Sequence, residues 1–511
     1  MCFGFYIESK NTEQLTITPS PHLQSELNLL LLVPILKTGL AYCITPVSEG
    51  ITVLKSKTKD QQIESFRKFI LYCIAILKFW LQTIVRTKLK MKNAIFFLLL
   101  LSAAFSYGQD VKINDLDLDF YGFVRNEFYL DTYKGLDAAH DQFYLVPLYV
   151  GKDANGEDIN EQTSTNLSAI TTRLGVRISG PEILGAKTSG NIEFDFGGIL
   201  KSEPTLLRIR HAYTAFTWTK SKLTVGQTWH PFWGGSIFPT VAGLNTGAPF
   251  QAFSRTPQIR YDIFSGKFTF SGALLYELQY ASKTIESSNY STSNQAKRNG
   301  ILPEVAVAIE YKNKDFTAGA GALYNQIKPR MTNTGTGGVF KSTEFTAGKG
   351  LMAYAKYAHN LFSIISKGYY GQNMNQITLL GGYGVASVDA RTGAETYTNY
   401  TNYTALVNAL YGKKWQAGIL VGIGDNLGTG KALYNDGTNK ARTCGLLPNV
   451  KGIFRVSPSI SYNVSKIRLV AEYELTTADY GIGAINFENG LYAETHKTTN
   501  NRLNLMMMYL F

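Results

Sequence analysis

Residues 190–196 read Gly-Asn-Ile-Glu-Phe-Asp-Phe. Successive side chains of an extended chain point to opposite faces, so Ile192, Phe194 and Phe196 share one face and Asn191, Glu193 and Asp195 the other. The same period of two recurs down the chain. Residues 258–263 set Ile259, Tyr261 and Ile263 against Gln258, Arg260 and Asp262. Residues 467–475 set Ile467, Leu469, Ala471, Tyr473 and Leu475 against Arg468, Glu472 and Glu474. Tyr and Phe are abundant, as strands favour, and no amphipathic helical period stands out after Gln109.

Such alternation also fits a soluble antiparallel sheet with one wet face. Here the strand-like runs continue to Phe511, and no second set of inward apolar faces exists to build a partner sheet. In lipid every backbone polar group must be paired, so a single-layer sheet has to close on itself. The sequence therefore predicts an all-β transmembrane antiparallel barrel of about sixteen strands. They are expected near 117–131, 166–179, 186–198, 206–218, 222–230, 257–265, 267–281, 302–312, 315–328, 346–359, 361–372, 398–411, 413–424, 452–463, 465–478 and 501–511. Tight turns are expected at 181–184, 220–221, 265–266, 313–314, 360, 412 and 465, and long loops at 132–165, 231–256, 282–301, 329–345, 373–397, 425–451 and 479–500. Short turns on the periplasmic side and long loops outside are the usual asymmetry of such barrels.

Export has its own signal. Residues 91–108, MKNAIFFLLLLSAAFSYG, carry a charged start at Lys92, an apolar run from Ala94 to Leu101, and Ser106 and Gly108 before a cleavage point. They read as a signal peptide, with Gln109 opening the mature barrel region 109–511. Residues 1–90 differ in kind: they hold three of the four cysteines and 11 Lys+Arg against 6 Asp+Glu. They read as upstream sequence without a role in the mature protein. The mature region has 38 basic and 32 acidic side chains, a mild excess without the clustered Lys/Arg of a nucleic-acid-binding face. Cys444 is its only cysteine, so neither a disulfide within that region nor a CxxC metal knuckle can form.

Residues 173–180 (RLGVRISG), 190–196 (GNIEFDF), 207–216 (LRIRHAYTAF) and 223–232 (LTVGQTWHPF), with the terminal Phe511, resemble the trimeric sixteen-stranded bacterial outer-membrane porins, in particular the DcaP-like porins. The resemblance spans most of 109–511. It implies a homotrimer of water-filled channels, a loop folded into each pore, and a terminal aromatic that signals assembly. Some DcaP-like proteins carry an N-terminal coiled coil, for which only about eight residues are available between Gln109 and the first strand.

Charge on a lipid face costs about 2–4 kcal/mol at mid-membrane for Arg or Lys, so strand charges are expected to face water. On that rule Arg125, Arg173, Arg177, Arg208, Arg210, Arg260, Arg455 and Arg468 point inward, with Glu127, Glu193, Asp195, Asp262, Glu304, Glu310, Glu472 and Glu474. They either set ion selectivity or pair across strands to brace the wall. His211 falls on the lipid-facing side by simple alternation. The loop 231–256 has Arg255 as its one charged side chain and is rich in aromatics, including Phe232, Trp233, Phe238 and Phe250. Solvated loops are usually polar, so this one is expected to fold inward as a constriction. At the other end of the chain Leu503, Leu505, Met507, Tyr509 and Phe511 share the lipid face of the closing strand, with Tyr509 and Phe511 as the assembly signal.

No HExxH, GxSxG or His/Cys cluster appears, and Gly422-Ile423-Gly424-Asp425 lacks the following helix that a dinucleotide fingerprint needs. The chain is therefore expected to have no enzymatic activity, cofactor or metal. The expected function is passive diffusion of small hydrophilic solutes and ions across the outer membrane, whose lipid surrounds the barrel. A selective uptake channel for a sugar or organic acid, or a closed structural or adhesive barrel, are the alternatives.

Overall fold

A computed structural model describes residues 116–511, apart from 199–202, 204, 286–293 and 439, together with four short strands nearer the N-terminus. The chain divides into two compact units, Met1–Asp110 and Val111–Phe511. In the first, Tyr6–Ser9, Gln14–Thr18, Tyr42–Val47 and Gly50–Lys55 form one antiparallel sheet in the order first, second, fourth, third. The expected signal peptide 91–108 lies outside the described residues.

The second unit is a closed antiparallel barrel of sixteen strands. They are β1 (Asp117–Asp131), β2 (Arg173–Ile183), β3 (Ala186–Asp195), β4 (Arg208–Thr217), β5 (Ser221–Trp229), β6 (Arg255–Ser265), β7 (Phe268–Leu275) and β8 (Glu304–Lys312), then β9 (Phe316–Ile327), β10 (Thr346–His359), β11 (Phe362–Gln372), β12 (Glu395–Gly412), β13 (Trp415–Thr429), β14 (Val450–Val464), β15 (Ile467–Asn486) and β16 (Leu491–Leu510). The outer face is the apolar face of the alternation. One row across five strands runs Trp415, Tyr462, Leu469, Met507 and Asn126, each residue facing the next across a strand pair. Exposed aromatics edge the band: Phe362 and Tyr370 lie on β11 eight residues apart. At about 3.3 Å per residue that is roughly 26 Å along the strand, or about 20 Å across the membrane at the usual strand tilt, most of the height of a barrel's apolar band.

Most tight turns fall where the sequence places them. Between β2 and β3 the turn is Leu184-Gly185 rather than 181–184, because Ile183 pairs with Ala186. Both turn residues have positive φ, 54° and 70°, the geometry of a two-residue turn that matches strand twist. The expected long loop 479–500 is corrected more substantially. β15 and β16 stay paired as far as Asn486 and Leu491, and the connection is the short turn 487–490. Asn489-Gly490 is a hairpin dipeptide, and Gly490 takes φ +70° there.

Closure is made by β16 and β1, paired from Arg502 opposite Asp131 to Leu510 opposite Phe123. Phe511 extends the seam: its N–H donates to Gly122 O at 3.2 Å, and the Gly122 N–H donates to Phe511 O at 3.4 Å. A Cβ on Gly122 would sit 2.2 Å from the Arg173 carbonyl oxygen and 2.8 Å from the Phe511 ring. The glycine is thus required by close approach at the seam. Deleting Phe511, or replacing Gly122 by Val, is expected to reduce the heat-modifiable folded fraction in membranes, the second by overpacking worth about 1–3 kcal/mol. Gel-shift assays of unheated and heated samples measure it; unchanged folding in both variants would show that closure does not depend on this contact.

Candidate functional site

The interior is crossed by the loop between β5 and β6. Its neck closes where the His230 N–H donates to Ser254 O at 3.1 Å. A 3-10 turn, Pro231–Trp233, follows, fully buried and pinned by side chains on its backbone. The His230 Nδ1 accepts from the Phe232 N–H at 3.0 Å, which leaves Nε2 to donate to Glu304 at 2.6 Å. Tyr369 donates to Phe232 O at 3.0 Å, and the Lys367 ammonium donates to Trp233 O at 2.6 Å. Across the lumen, Asn408 on β12 accepts from the Thr240 N–H at 2.9 Å. Glu472 on β15 accepts from the Ala242 and Gly243 N–H groups at 2.8 and 3.3 Å, while Arg125 on β1 donates to Ala242 O. The loop therefore spans from the β5–β6 side to the opposite wall and back.

A second segment packs beside it. Within 132–165, Gly135–Ala138 and Phe143–Pro147 form a hairpin, and every residue of the second arm is buried. Phe143 meets Phe253 of the first loop edge-on, 4.8 Å between ring centres. Asn245 donates to Tyr144 O at 2.6 Å, and Tyr480 on β15 donates to Pro147 O at 2.8 Å. The sequence alone predicts a surface loop here. The signal that could have found the hairpin is the apolar run of residues 143–150, FYLVPLYV, inside an otherwise polar connection.

Arg455 on β14 joins both segments to the wall. Its guanidinium, 1% exposed, donates to Ala248 O at 3.0 Å in one loop, to Leu145 O at 2.5 Å in the other, and to Thr476 Oγ1 at 2.9 Å, with Glu474 at 3.3 Å. Of the expected constriction aromatics, Phe232, Trp233 and Phe250 are buried against wall and hairpin. Phe238 instead stays 46% exposed and stacks on Trp233 with 5.8 Å between centres.

The strand charges are largely paired. Arg208 makes a two-pronged bond to Asp195 at 2.9 and 2.8 Å, and Arg210 bridges Glu193 and Asp195 at 2.6 and 2.7 Å. Arg173 lies 3.5 Å from Glu193. These five residues form one cluster on β2, β3 and β4. The rest stand elsewhere: Arg125 pairs with Glu127, Arg260 with Asp262 at 2.8 Å, and Arg177 with Asp119 at 2.7 Å at the tight-turn end. Arg502, which alternation on the closing strand turns to the lumen, grips Asp131 through two nitrogens at 2.8 Å. Among the described residues Arg468 has no such mate, and its Nε is buried without a hydrogen-bond partner. At the mouth, outside the wall proper, burial pushes the Glu277 carboxyl up and the Lys297 ammonium down. Asn325 lies between them, donating to Glu277 at 3.1 Å and accepting from Lys297 at 2.5 Å.

Two placements differ from simple alternation. His211 is opposite Glu193, an inward residue, and its ring is 3.0 Å from Thr228 Oγ1 and 3.9 Å from the Glu193 carboxylate. A bulge is the cause: Glu193 pairs with His211 but Phe194 pairs with Ile209, leaving Arg210 as the extra residue. A bulge resets the phase, so Arg210 and His211 both join the Glu193 side. The second is Arg255, read as a mere loop-edge charge. It is 0% exposed, stacks over Trp229 at 4.6 Å, and keeps Nε and Nη1 without hydrogen-bond partners.

Replacing Arg455 by Leu removes the bonds to both loops and leaves Glu474 buried without its cation, a loss on the order of 3–5 kcal/mol for a buried pair. The expected outcome is new protease cleavage within 132–165 and 231–256 where the native barrel resists. An unchanged digestion pattern would show the loops to be held without this residue.

No family model and no curated protein matches the chain. Among solved structures, the outer membrane channel DcaP of Acinetobacter baumannii is similar over 79% of this chain and 100% of its own, at 20% identity and a TM-score of 0.56. OmpT of Vibrio cholerae matches with 12% identity and a TM-score of 0.45, over 79% of this chain and 100% of its own. The anion-selective porin from Comamonas acidovorans gives 10%, 0.44, 78% and 100% for the same quantities. The likeness to DcaP, together with the closed ring of sixteen antiparallel strands, establishes that this chain has the sixteen-stranded porin-like fold.

Proposed function

We propose that the protein is an outer-membrane channel for passive diffusion of small hydrophilic solutes and ions. The observation that carries this reading is a sixteen-stranded wall whose inner face is charged and hydrogen-bonded, narrowed by two inward segments, the loop 231–256 and the hairpin 135–147. Barrels of this strand number leave room for an aqueous path. The fold's likeness to known outer-membrane channels supports the location, and the porin resemblance supports a homotrimer. A concave outer patch, with Gly190 and Ala212 at small positions among Ile178, Ile192, Thr214 and Val225, offers a mostly apolar hollow against which a neighbouring wall can pack.

Selectivity follows from the cluster on β2–β4. Arg173, Arg208 and Arg210 with the buried Arg255 face only Glu193 and Asp195, so positive charge is in excess. Screening over about 8 Å at physiological ionic strength confines its influence to the adjacent water, and the result is a weak preference for anions. Of these residues Arg173 is the most solvent-accessible, at 19% of its side chain.

Planar-bilayer recording tests the channel directly. Stable conductance is expected, rising about twofold when residues 236–247 are replaced by a short glycine linker; this magnitude assumes that the loop fills about half the cross-section. Absence of current in both proteins would instead favour a closed adhesive barrel, for which ligand binding without conductance is the mark. In a salt gradient the reversal potential is expected to indicate weak anion preference and to move toward cations in Arg173→Gln. Strong cation selectivity in the native protein would overturn the assignment. A selective uptake channel is favoured by one feature, the half-exposed Phe238 stacked on Trp233, and would reveal itself as current block by one sugar or organic acid from a panel.

A further inference from the structure

The two ends of the barrel differ in charge. At the tight-turn end, Lys220 lies between β4 and β5, Lys267 between β6 and β7, Lys314 between β8 and β9, Lys413 and Lys414 between β12 and β13, and Lys466 between β14 and β15. All six are exposed. None of these ammonium groups has a carboxylate within ion-pair distance among the described residues. Among the described residues, the acidic side chains near this end include Asp117, Glu182, Asp119, already paired with Arg177, Glu310, which accepts from Tyr354 at 2.8 Å, and Asp315, 3.4 Å from His359. The long loops at the other end mix both signs, with Asp153, Glu157, Asp389 and Glu488 among Lys134, Lys152 and Lys431.

Depth and distribution identify what these lysines meet. Each follows or precedes an outward aromatic by a few residues: Trp218 before Lys220, Phe268 after Lys267, Phe316 after Lys314, Tyr411 and Trp415 around Lys413 and Lys414, and Tyr462 before Lys466. The Lys414 ammonium lies 5.6 Å from the centre of the Tyr462 ring. Aromatics of this kind sit at the level of lipid headgroups, and a lysine just beyond them extends its ammonium to the phosphate layer. The lysines are also spread along the wall from β4 to β15 instead of being gathered on one side, and all but Lys220 lie outside the β2–β5 arc proposed to pack against a neighbouring wall. Such a spread suits lipid along the exposed wall; a single docked protein would need a patch.

We infer that the tight-turn rim binds anionic phospholipid headgroups in the periplasm-facing leaflet, through phosphodiester contacts to unpaired lysines. The inference rests on the outer-membrane reading given above, with tight turns toward the periplasm. A lysine near an anionic surface gains a free energy of useful size, and the effect is screened by salt.

The test uses the purified full-length barrel in phosphatidylcholine vesicles, with spin-labelled phosphatidylglycerol or phosphatidylcholine as the probe of wall-associated lipid. Native protein is expected to favour phosphatidylglycerol about three- to fivefold, and the preference to fall toward unity at high salt. Changing Lys220, Lys267, Lys314, Lys413, Lys414 and Lys466 to Gln should abolish it, whereas Lys134, Lys152 and Lys431 to Gln should not. A native ratio near one, or a ratio unchanged by the first set, overturns the inference. So does lysine-dependent retention on isolated peptidoglycan without lipid preference, which would assign the rim to cell-wall carboxylates. Conductance recorded in the same membranes separates the two readings. A conducting barrel without lipid preference defeats only this inference, and a lipid-selective barrel without conductance defeats only the channel.

Discussion

Closure of the hydrogen-bond ladder is the constraint on which everything else in the barrel depends. A lone sheet in lipid has two edges of unpaired N–H and C=O groups, each costing several kcal/mol, and only pairing the last strand with the first removes both. Here that pairing reaches the final residue, since Phe511 exchanges backbone bonds with Gly122. Once the ring is closed, every strand has one face in lipid and one in the lumen. The lipid face admits apolar side chains, and the polar remainder must resolve its charges inside.

It does so in two ways. Carboxylates and guanidiniums on adjacent strands pair laterally, as in Arg208 with Asp195 and Arg502 with Asp131. Other wall groups take the backbone of the inserted loops as partner: Glu472 accepts two loop N–H groups, Lys367 donates to one loop carbonyl, and Arg455 donates to two. A loop inside a barrel has its own backbone groups to satisfy, and buried wall charges have lost water. Each solves the other's problem. That reciprocity explains how an aromatic segment with few polar side chains of its own can cross a polar lumen.

The sixteen strands were legible because lipid enforces strict alternation over each crossing, and turn residues punctuate it. Legibility ended where that enforcement ends. Above the membrane the β15–β16 pair continues through glycine-rich sequence with no lipid to impose a pattern, and Asn489-Gly490 was the overlooked cue. The hairpin 135–147 packs on another loop rather than on a sheet, so its run of buried residues has no period to detect. His211 was misplaced because one bulge residue shifts phase, and nothing in LRIRHAYTAF distinguishes a bulge from a regular strand. The inward charges could be assigned from a single strand, but their partners could not, since pairing depends on the register of neighbours.

Lateral pairing also decides what remains for solutes to sense. A cation held by a carboxylate across a strand presents little net field to the lumen, and screening removes more within a nanometre. What persists is imbalance within a cluster. The β2–β4 arc gathers three guanidiniums around two carboxylates, and Arg255 at the start of β6 adds a fourth, while the loop that faces the arc brings aromatic rings and no acid. For the channel proposed here, sign and strength of selectivity therefore rest on this small surplus rather than on the total of charged residues in the wall. The count of arginines along the sequence overstates the effect for the same reason that the barrel is stable: most of them are already answered by a neighbour.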